Sequence, residues 1–515
     1  MSSDTSWKDI LRGFVDKKSI TMLLLGFSAG MPYLLIFSSL SLWLREAGVE
    51  RSSVTYFSWA ALAFSFKFIW APLVDQLPLP YFTNRFGRRR SWLVLSQTLI
   101  ISAIIWMALI NPSLGQSALT SMAFAAVLLG FSAATQDIVI DAYRIESAPG
   151  DWQAILSATY IAGYRIGLLA SGAGSLFIAT YFGTTKLDYN YEAWRNTYFI
   201  MAALMSIGIF TAILRPEPKT DRQKSHEHNS ADYLTVFGLF LIIVSFFIAV
   251  FYYLGIPSNI VKASLSKTIS NGALVTFITS TSRLVISIFA AILFGVFIGK
   301  TNLVKTEMIQ ELYVSPIKNF FQRYKLKYAI LILLLISLYR ISDIVLGVIS
   351  NIFYQDLGFS KIQIASAVKT FGLIMSIFGG FLGGALTLKF GIYRILWWGA
   401  VLSAATNILF MILAKIGPDL TVLYLVISAD NLAAGLASAA FVAYLSSLTD
   451  ISFTATQYAI FSSLMTLIPK IIGGYSGGMV DVLDYSGFFL ATTLMGIPVL
   501  YIIYLCQKTF KLKQN

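Results

Sequence analysis

Residues 66–75 of this 515-residue chain have the sequence FKFIWAPLVD, and after a short polar loop residues 86–90 have the sequence FGRRR. An apolar helix therefore ends in an acidic turn, and a basic turn opens the next helix. A weaker copy, GGALTLKFGIYR, occupies residues 383–394, again between two long apolar runs and again with a glycine close to a base. Repeats of this kind are typical of transporter folds in which the substrate lies between two related halves. The motif therefore predicts a duplicated helical bundle.

The composition of the chain is that of a membrane protein. Hydrophobic residues make up 57% and charged residues only 12%, whereas the surface of a soluble domain needs far more charge. The net charge of +13 comes from Lys and Arg in the short segments between apolar runs, where the positive-inside rule places them. We therefore expect a lipid bilayer around the chain and no nucleic-acid partner. The single cysteine, Cys506, excludes an internal disulfide framework and a cysteine zinc site.

Fourteen segments are apolar enough to span a membrane, given that one span needs about 20 residues. They begin near Ile20, Val54, Trp92, Ala118, Ala154, Asn196, Tyr233, Gly272, Lys327, Lys361, Gly391, Leu420, Thr456 and Gly487. With the amino terminus in the cytoplasm, most Lys and Arg fall on the cytoplasmic side, so we expect both termini there. The polar first residues predict no signal peptide, and residues 7–18 predict a short helix on the inner membrane surface.

The order of polar and apolar segments predicts five parts. They are an N-terminal cytoplasmic segment (1–19), a six-helix bundle (20–215), a linker with an accessory two-helix hairpin (216–326), a second six-helix bundle (327–506) and a cytoplasmic tail (507–515). The linker begins with the most polar stretch of the chain, which contains both histidines, His226 and His228. The expected fold class is an all-α integral membrane protein with two six-helix bundles and two extra spans. Glycine pairs such as Gly163 and Gly167, or Gly380 and Gly384, predict close helix packing.

Ionisable side chains inside the predicted spans are the candidate functional residues, because each costs about 3 kcal/mol to insert and is tolerated mainly beside water or a partner. The bases are Lys67, Arg165, Arg340, Lys369 and Lys470, and the deepest acids are Asp343 and Asp430. Since the bases come from both halves, a shared cavity would be basic and would suit an anionic substrate. For Arg340 and Asp343, which lie one turn apart, the alternative is mutual neutralisation without any ligand.

A second group of charges surrounds the opening motif at the predicted inner face. It comprises Asp75, Arg88, Arg89 and Arg90, together with Asp137, Asp141 and Arg144 at the end of the fourth span. Asp137 and Asp141 lie four residues apart on one helix face, so they repel unless they are paired or protonated. Two interpretations follow, a proton-responsive inner gate or a static salt-bridge network, and the network is favoured for Asp141 and Arg144. For proton coupling, Asp343 and Asp430 are the first candidates and Asp137 the next.

No motif in the sequence supports catalysis, a cofactor or a bound metal. GFSAG at residues 26–30 fits the nucleophile-elbow pattern, but it lies in a membrane helix and the only two histidines are in the linker. No phosphate-binding loop or dinucleotide fingerprint occurs. A membrane-embedded enzyme acting on wall precursors is the alternative from another class, and only Asp137 and Asp141 approach the carboxylate pair that it would need.

The opening motif resembles the loop signature of the major facilitator superfamily, with Asp75, Gly87 and Arg88–Arg90 in the matching places. Longer stretches are similar to AmpG, the muropeptide permease family: residues 25–32 (LGFSAGMP), 66–73 (FKFIWAPL), 132–142 (SAATQDIVIDA), 163–167 (GYRIG), 338–343 (LYRISD), 369–372 (KTFG) and 441–445 (FVAYL). The resemblance implies proton-driven import of N-acetylglucosaminyl-1,6-anhydro-N-acetylmuramic acid carrying short peptides. It also implies a bacterial inner membrane, cell-wall recycling and beta-lactamase induction.

Such a glycopeptide carries carboxylates, which suit the intramembrane bases, and sugar hydroxyls and acetamides, which suit neutral polar groups. Candidates for the latter are Gln97, Gln136, Asn351, Asn407, Asn431, Tyr33 and Tyr164, and their alternative role is to bridge helices. We expect a monomer that uses protons as its second substrate. The same wider family includes acetyl-CoA transporters, so another large anion such as acetyl-CoA remains an alternative cargo.

Overall fold

The computed structural model describes residues 6–49, 57, 62–185, 188–218, 230–269, 272–299, 301, 305–473 and 476–511. The regular structure in these ranges is helical, which confirms the all-α prediction. Thirteen helices within them are long and apolar enough to cross a membrane, and these match thirteen of the predicted spans. The remaining span, predicted to begin near Val54, lies partly outside the described residues, and its described part consists mainly of the short helices Leu62–Phe66 and Ala71–Gln76 with the 3₁₀ turn Lys67–Ile69 between them. His226 and His228 lie outside the described residues. The number fourteen therefore stays a prediction.

In its described residues, the first half of the chain forms nine α-helices, most of which pack around one apolar core. They are α1 (Trp7–Phe14), α2 (Lys17–Glu46), α3 (Leu62–Phe66), α4 (Ala71–Gln76), α5 (Phe82–Phe86), α6 (Arg88–Ala108), α7 (Gln116–Ser147), α8 (Gln153–Tyr181) and α9 (Tyr191–Leu214). Trp43 and Trp194 are fully buried in the core and stack with ring centroids 5.7 Å apart. The indole nitrogen of Trp194 donates to the carboxylate of Glu46 at 2.7 Å, so the end of α2 is fixed to α9.

Residues 76–80 and 223–319 form a separate compact unit. Its helices are α10 (Ser230–Tyr253), α11 (Gly255–Thr268), α12 (Gly272–Gly299) and α13 (Thr306–Ile309). Arg283 is the intramembrane charge of this unit, and its Nε donates to the carbonyl oxygen of Phe251 at 2.7 Å. The guanidinium also lies 4.0 Å from the centre of the Phe251 ring. The charge is therefore stabilised by a backbone oxygen and an aromatic face near the break between α10 and α11.

The second half of the chain forms nine further helices. They are α14 (Ser315–Tyr324), α15 (Leu326–Leu338), α16 (Ile341–Asp356), α17 (Lys361–Ile364), α18 (Gly372–Phe390), α19 (Ile392–Ile416), α20 (Leu420–Leu448), α21 (Thr454–Gly473) and α22 (Ser476–Lys511). Phe353, Phe410 and Phe489 form the centre of their apolar core. Phe353 packs edge-on against Phe489, with ring centroids 4.8 Å apart. Both bundles belong to one compact unit.

The predicted N-terminal helix is present as α1, and it contacts both bundles. Ile10 and Gly13 are buried, and a Cβ atom at Gly13 would lie 2.7 Å from Ile155 of α8. On the other side, the ring of Phe14 packs edge-on against Phe381 of α18 at 5.2 Å. The ammonium of Lys389 lies 4.2 Å from the centre of the Trp7 ring. The helix therefore bridges α8 and α18.

Glycines allow α2 and α8 to touch backbone to backbone. A Cβ atom at Gly163 would lie 2.0 Å from the carbonyl oxygen of Leu23, and one at Gly26 would lie 2.2 Å from that of Tyr160. These separations are far shorter than a carbon atom tolerates, so a side chain at either position would push the helices apart. The packing role predicted for Gly163 is confirmed.

A glycine also sets the contact between the two bundles. A Cβ atom at Gly384 of α18 would lie 2.6 Å from the Cβ of Ala158 in α8. At Gly380, by contrast, the nearest atom would lie at 4.0 Å, in the side chain of Ile161. Close packing was predicted for both glycines, but it is required only at Gly384, whereas Gly380 has room for a methyl group.

Replacing Gly163 by alanine should destabilise the fold, because overpacking of a tight contact costs about 1–3 kcal/mol. The matched control is Gly347→Ala in α16, where a Cβ atom would meet nothing within 4 Å. Alanine there should be neutral or slightly stabilising, since it is the better helix former. Thermal unfolding of the purified protein in detergent measures both effects, and equal midpoints for the two variants would contradict the packing role of Gly163.

Candidate functional site

The residues of the opening motif form a buried ionic network at one end of the helices, which we call the basic face because Arg88, Arg89 and Arg90 begin α6 there. Arg89 is fully buried, and its Nη2 lies 2.7 Å from Asp75 and 2.6 Å from Glu146. One guanidinium thus compensates two buried carboxylates, and each partner is necessary for the burial of the others. Arg88 donates to the backbone oxygen of Asp75 at 3.1 Å.

Asp75 also connects the first bundle to the second. Its Oδ2 accepts hydrogen bonds from the backbone nitrogen and the hydroxyl of Thr456, both at 3.1 Å. Thr456 lies in the first turn of α21, where backbone N–H groups lack helical partners and carry a partial positive charge. The carboxylate therefore binds an arginine of its own bundle and a helix N-terminus of the other.

Arg144 forms a second connection between the bundles at the basic face. Its Nη1 donates to the hydroxyl of Ser446 in α20 at 2.7 Å and to that of Ser157 in α8 at 3.0 Å. Its Nη2 lies 3.3 Å from Asp141, whose other oxygen lies 3.6 Å from Lys67. The structure thus places Lys67, one of the bases expected to hold substrate, in an ion pair with Asp141.

Arg90 occupies a different position from its neighbours. Its guanidinium donates to the carbonyl oxygens of Ala212 and Ile213 at the end of α9, the former at 2.7 Å. The backbone nitrogens of Arg89 and Arg90 donate to Glu217 at 2.7 and 3.1 Å. Arg90, which we expected at the inner gate, therefore fastens α6 to α9 within the first bundle.

Four of the five predicted substrate-binding bases lie in or directly beside irregular helical segments. Lys67 begins a 3₁₀ turn, Lys67–Ile69, and Lys369 lies in a π-helical segment, Ala365–Phe371. Lys470 follows Pro469 inside α21, and Arg340 separates the end of α15 from the start of α16. Non-α backbone at membrane depth is tolerated where it is enclosed by protein or lines a wet cavity. Broken helices of this kind build the substrate sites of many transporters.

Arg165 of α8 and Arg340 come one from each bundle, and we call them, with Asp343 and Asp430, the central charge cluster. The two arginines are close enough to interact electrostatically, and their like charges repel each other. Arg340 is held by Asp343, with Nε and Oδ2 3.0 Å apart, and by the hydroxyl of Ser438 at 2.5 Å. The predicted pairing of Arg340 with Asp343 is therefore present.

Asp430 belongs to the same cluster, although it lies on α20. It interacts electrostatically with Asp343 and Arg340, and it accepts a hydrogen bond from the hydroxyl of Thr406 at 3.3 Å. Two carboxylates thus share one arginine, an arrangement in which a proton on either acid relieves their repulsion.

Lys369 and Lys470 are the exposed members of the predicted set of bases. The ammonium of Lys470 donates across the bundles to the hydroxyl of Ser65 at 3.4 Å. Within the described part of the chain, neither lysine forms an ion pair with a carboxylate. Both charges are therefore open to an anionic ligand.

Gln136 and Asp137 lie next to each other in α7 but have different surroundings. Gln136 is fully buried, and its Nε2 donates to the backbone oxygen of Ser28 in α2 at 3.1 Å. Gln136 was also considered as a substrate ligand, but this hydrogen bond supports its alternative role of bridging two helices. Asp137 is 8% exposed and interacts electrostatically with Lys67 and Asp141, so it belongs to the charged network around Lys67.

The sequence analysis missed Glu146, Thr456, Ser446 and Ser438. Glu146 had a visible signal, since it lies two residues after Arg144 at the same end of one apolar run. The other three are common hydroxyl residues on a distant part of the chain, and no local pattern assigns them to the arginines or to Asp75.

Three comparisons place the chain among known proteins. Residues 20–315 match the family model of the Major Facilitator Superfamily. The chain is 30% identical over 499 residues to the putative transporter AmpG 4 of Rickettsia felis, covering 97% of this chain and 99% of the relative. It is 28% identical over 502 residues to the anhydromuropeptide permease of Escherichia coli K12, covering 97% and 82%. The fold is similar to that of the proton:xylose symporter XylE bound to 6-bromo-6-deoxy-D-glucose, with a TM-score of 0.57, 14% identity and coverage of 95% and 94%.

Replacing Asp75 by asparagine should loosen the contact between the bundles at the basic face. The neutral amide no longer compensates Arg89, and each kcal/mol lost from the closed state raises the open population about fivefold. The reporter is Val442→Cys, at a side chain that packs against Ala158 and Ile161 at the bundle interface. Cys506, which is buried, is first replaced by serine, and the rate of maleimide labelling is measured.

The control for this experiment is Asp356→Asn. Asp356 accepts a hydrogen bond from Tyr485 within the second bundle, so its loss should leave the labelling rate at residue 442 unchanged. An unchanged rate in the Asp75→Asn variant as well would show that the carboxylate does not hold the bundles together.

Proposed function

The chain belongs to the major facilitator superfamily and, within it, to the AmpG transporters, and on this premise we propose that it imports anhydromuropeptides together with protons. It is a multi-pass membrane transporter and not an enzyme. The proposed cargo is N-acetylglucosaminyl-1,6-anhydro-N-acetylmuramic acid with or without a short peptide, taken across the bacterial inner membrane for cell-wall recycling. The name of the Escherichia coli relative and the charges between the bundles both support this cargo.

The proposal is supported mainly by Arg165 and Arg340, which belong to different bundles and interact electrostatically. One arginine comes from each bundle, and no charge on the same helix turn compensates Arg165. A carboxylate placed between them would gain two charge-assisted hydrogen bonds and would remove their mutual repulsion. Lys369 and Lys470 supply further positive charge for a cargo that carries several carboxylates.

Proton coupling is assigned to the acids of the central charge cluster. A proton on Asp343 weakens its hold on Arg340, because the ion pair becomes a neutral contact. Arg340 is then available to a carboxylate of the cargo. Asp430, which interacts electrostatically with Asp343 and Arg340, is the second candidate for proton binding. Asp137 is the candidate in the first bundle. Protons would bind from the outside and leave on the inside.

Alternating access follows from the position of the basic face. The positive-inside rule assigns this face, and with it both termini, to the cytoplasm. The two bundles are bonded there through the pairs Asp75–Thr456 and Arg144–Ser446. Release of the cargo to the cytoplasm would break both contacts, so we assign Asp75, Arg88, Arg89, Asp141 and Arg144 to the inner gate.

Uptake into right-side-out vesicles with an acidic exterior tests the cargo and the energy source together. Labelled anhydromuropeptide should accumulate when a proton gradient is imposed and should equilibrate without accumulation when a protonophore collapses it. Accumulation that is indifferent to the gradient would remove the proton-coupling proposal. Unlabelled acetyl-CoA serves as the competitor from the alternative cargo class, and competition stronger than that of unlabelled anhydromuropeptide would reassign the substrate.

Replacing Arg165 by glutamine should raise the KM for uptake about tenfold or more, because a hydrogen bond to a charged group contributes about 1.5–3 kcal/mol. The control is Arg195→Gln, at a surface arginine of α9 that pairs with Glu192. Initial rates over a range of substrate concentrations are normalised to the amount of protein in the membrane. A KM equal to that of the control variant would show that Arg165 has a structural role only.

A further inference from the structure

The first bundle carries a partly exposed aromatic cluster that includes none of the charged residues described above. It consists of Tyr33 and Phe37 of α2 and Phe64 of α3. The rings of Tyr33 and Phe37 have centroids 4.8 Å apart, and those of Tyr33 and Phe64 are 5.8 Å apart. All three side chains are partly exposed. They differ in this from Trp43 and Trp194, which are fully buried in the core of the same bundle.

The backbone around this cluster is irregular. Residues Leu35–Ser39 of α2 form a π-helical turn, and Phe37 lies within it. Such turns are rare and occur frequently at functional sites. Tyr33 and Phe37 are four residues apart and so lie on one face of α2, where their rings touch.

The helices that carry the cluster adjoin the charged residues. α2, which carries Tyr33 and Phe37, packs backbone to backbone against α8, the helix of Arg165. Ser65, which follows Phe64 in the chain, accepts a hydrogen bond from Lys470 of the second bundle at 3.4 Å. The cluster therefore lies on the part of the first bundle that is next to the helix of Arg165 and to Lys470.

We propose that Tyr33, Phe37 and Phe64 form a stacking subsite for the sugar rings of the cargo, an inference that rests on the proposed function. A pyranose ring exposes C–H groups on one face, and the electron-rich face of an aromatic ring attracts them while excluding water. The 1,6-anhydro bridge removes two hydroxyl groups and makes the muramic ring more apolar still. The cargo then lies with its disaccharide against the first bundle and its carboxylates toward Arg165 and Arg340.

The contributions of the sugar subsite and of the central charge cluster to binding can be measured separately by choosing the ligand. The peptide-free disaccharide retains both sugar rings and loses the carboxylates of the peptide, so its affinity depends more strongly on stacking. Leucine in place of an aromatic residue keeps an apolar side chain of similar size but removes the flat ring face. Phenylalanine in place of Tyr33 keeps the ring and removes only the hydroxyl.

The experiment measures how well the peptide-free disaccharide inhibits uptake of labelled anhydromuropeptide carrying a tripeptide. The inhibition constant should rise about three- to tenfold in Tyr33→Leu and in Phe64→Leu, and should stay near the wild-type value in Tyr33→Phe. The control is Phe177→Leu, at an aromatic residue of α8 that is 77% exposed, where no change is expected. Membrane content of each variant is measured in parallel.

Three outcomes would overturn the subsite. The first is unchanged inhibition in both leucine variants. The second is an equal loss of inhibition in Tyr33→Phe, which would assign the effect to the tyrosine hydroxyl group. The third is stronger inhibition by adenosine monophosphate than by the disaccharide, which would assign the aromatic rings to binding of a nucleobase. Failure of the wild-type protein to take up the labelled anhydromuropeptide would instead contradict the proposed function, so the two failures are distinguishable.

Discussion

The carboxylate of Asp75 is the interaction on which the arrangement of the two bundles depends. It lies without solvent contact between Arg89 of its own bundle and the free N–H groups at the start of α21. Removing one partner from a buried ion pair typically costs about 3–5 kcal/mol, because the other charge stays buried and uncompensated. The same carboxylate thus stabilises both the turn between α4 and α6 and the closed basic face.

A chain of charged contacts connects this face to the interior of the first bundle. Lys67 and Asp75 lie on the same short segment of chain, on either side of an irregular turn. Lys67 binds Asp141, Asp141 binds Arg144, and Arg144 binds Ser446 of the second bundle. Any ligand that draws Lys67 away from Asp141 therefore also changes the charge that holds Arg144 at the interface. This is a physical route by which cargo and gate can influence each other.

Sequence reasoning succeeded where the chemistry is local. The apolar runs predicted thirteen helices that the structure shows, and the spacing of Asp141 and Arg144 along one helix predicted their ion pair. It could not assign Thr456 to Asp75, since the partners are separated by most of the chain and a helix N-terminus binds through backbone atoms. It also could not locate the break at Arg340, because residues 336–345 contain neither the proline nor the glycine that usually signals a helix break. Gln136 was placed among the ligand candidates because its polarity shows in the sequence, whereas its partner, a backbone oxygen of Ser28, does not.

The helix α1 gives the protein a property that neither bundle has alone. The face of α1 that carries Gly13 packs against α8, while Phe14 and Trp7 contact α18. The helix α1 therefore bridges the two helices that meet at Gly384. Separation of these two helices would break the contacts of α1 on one side. In the proposed transport cycle, α1 (Trp7–Phe14) would therefore act as a clasp that closes again each time the bundles meet at Gly384.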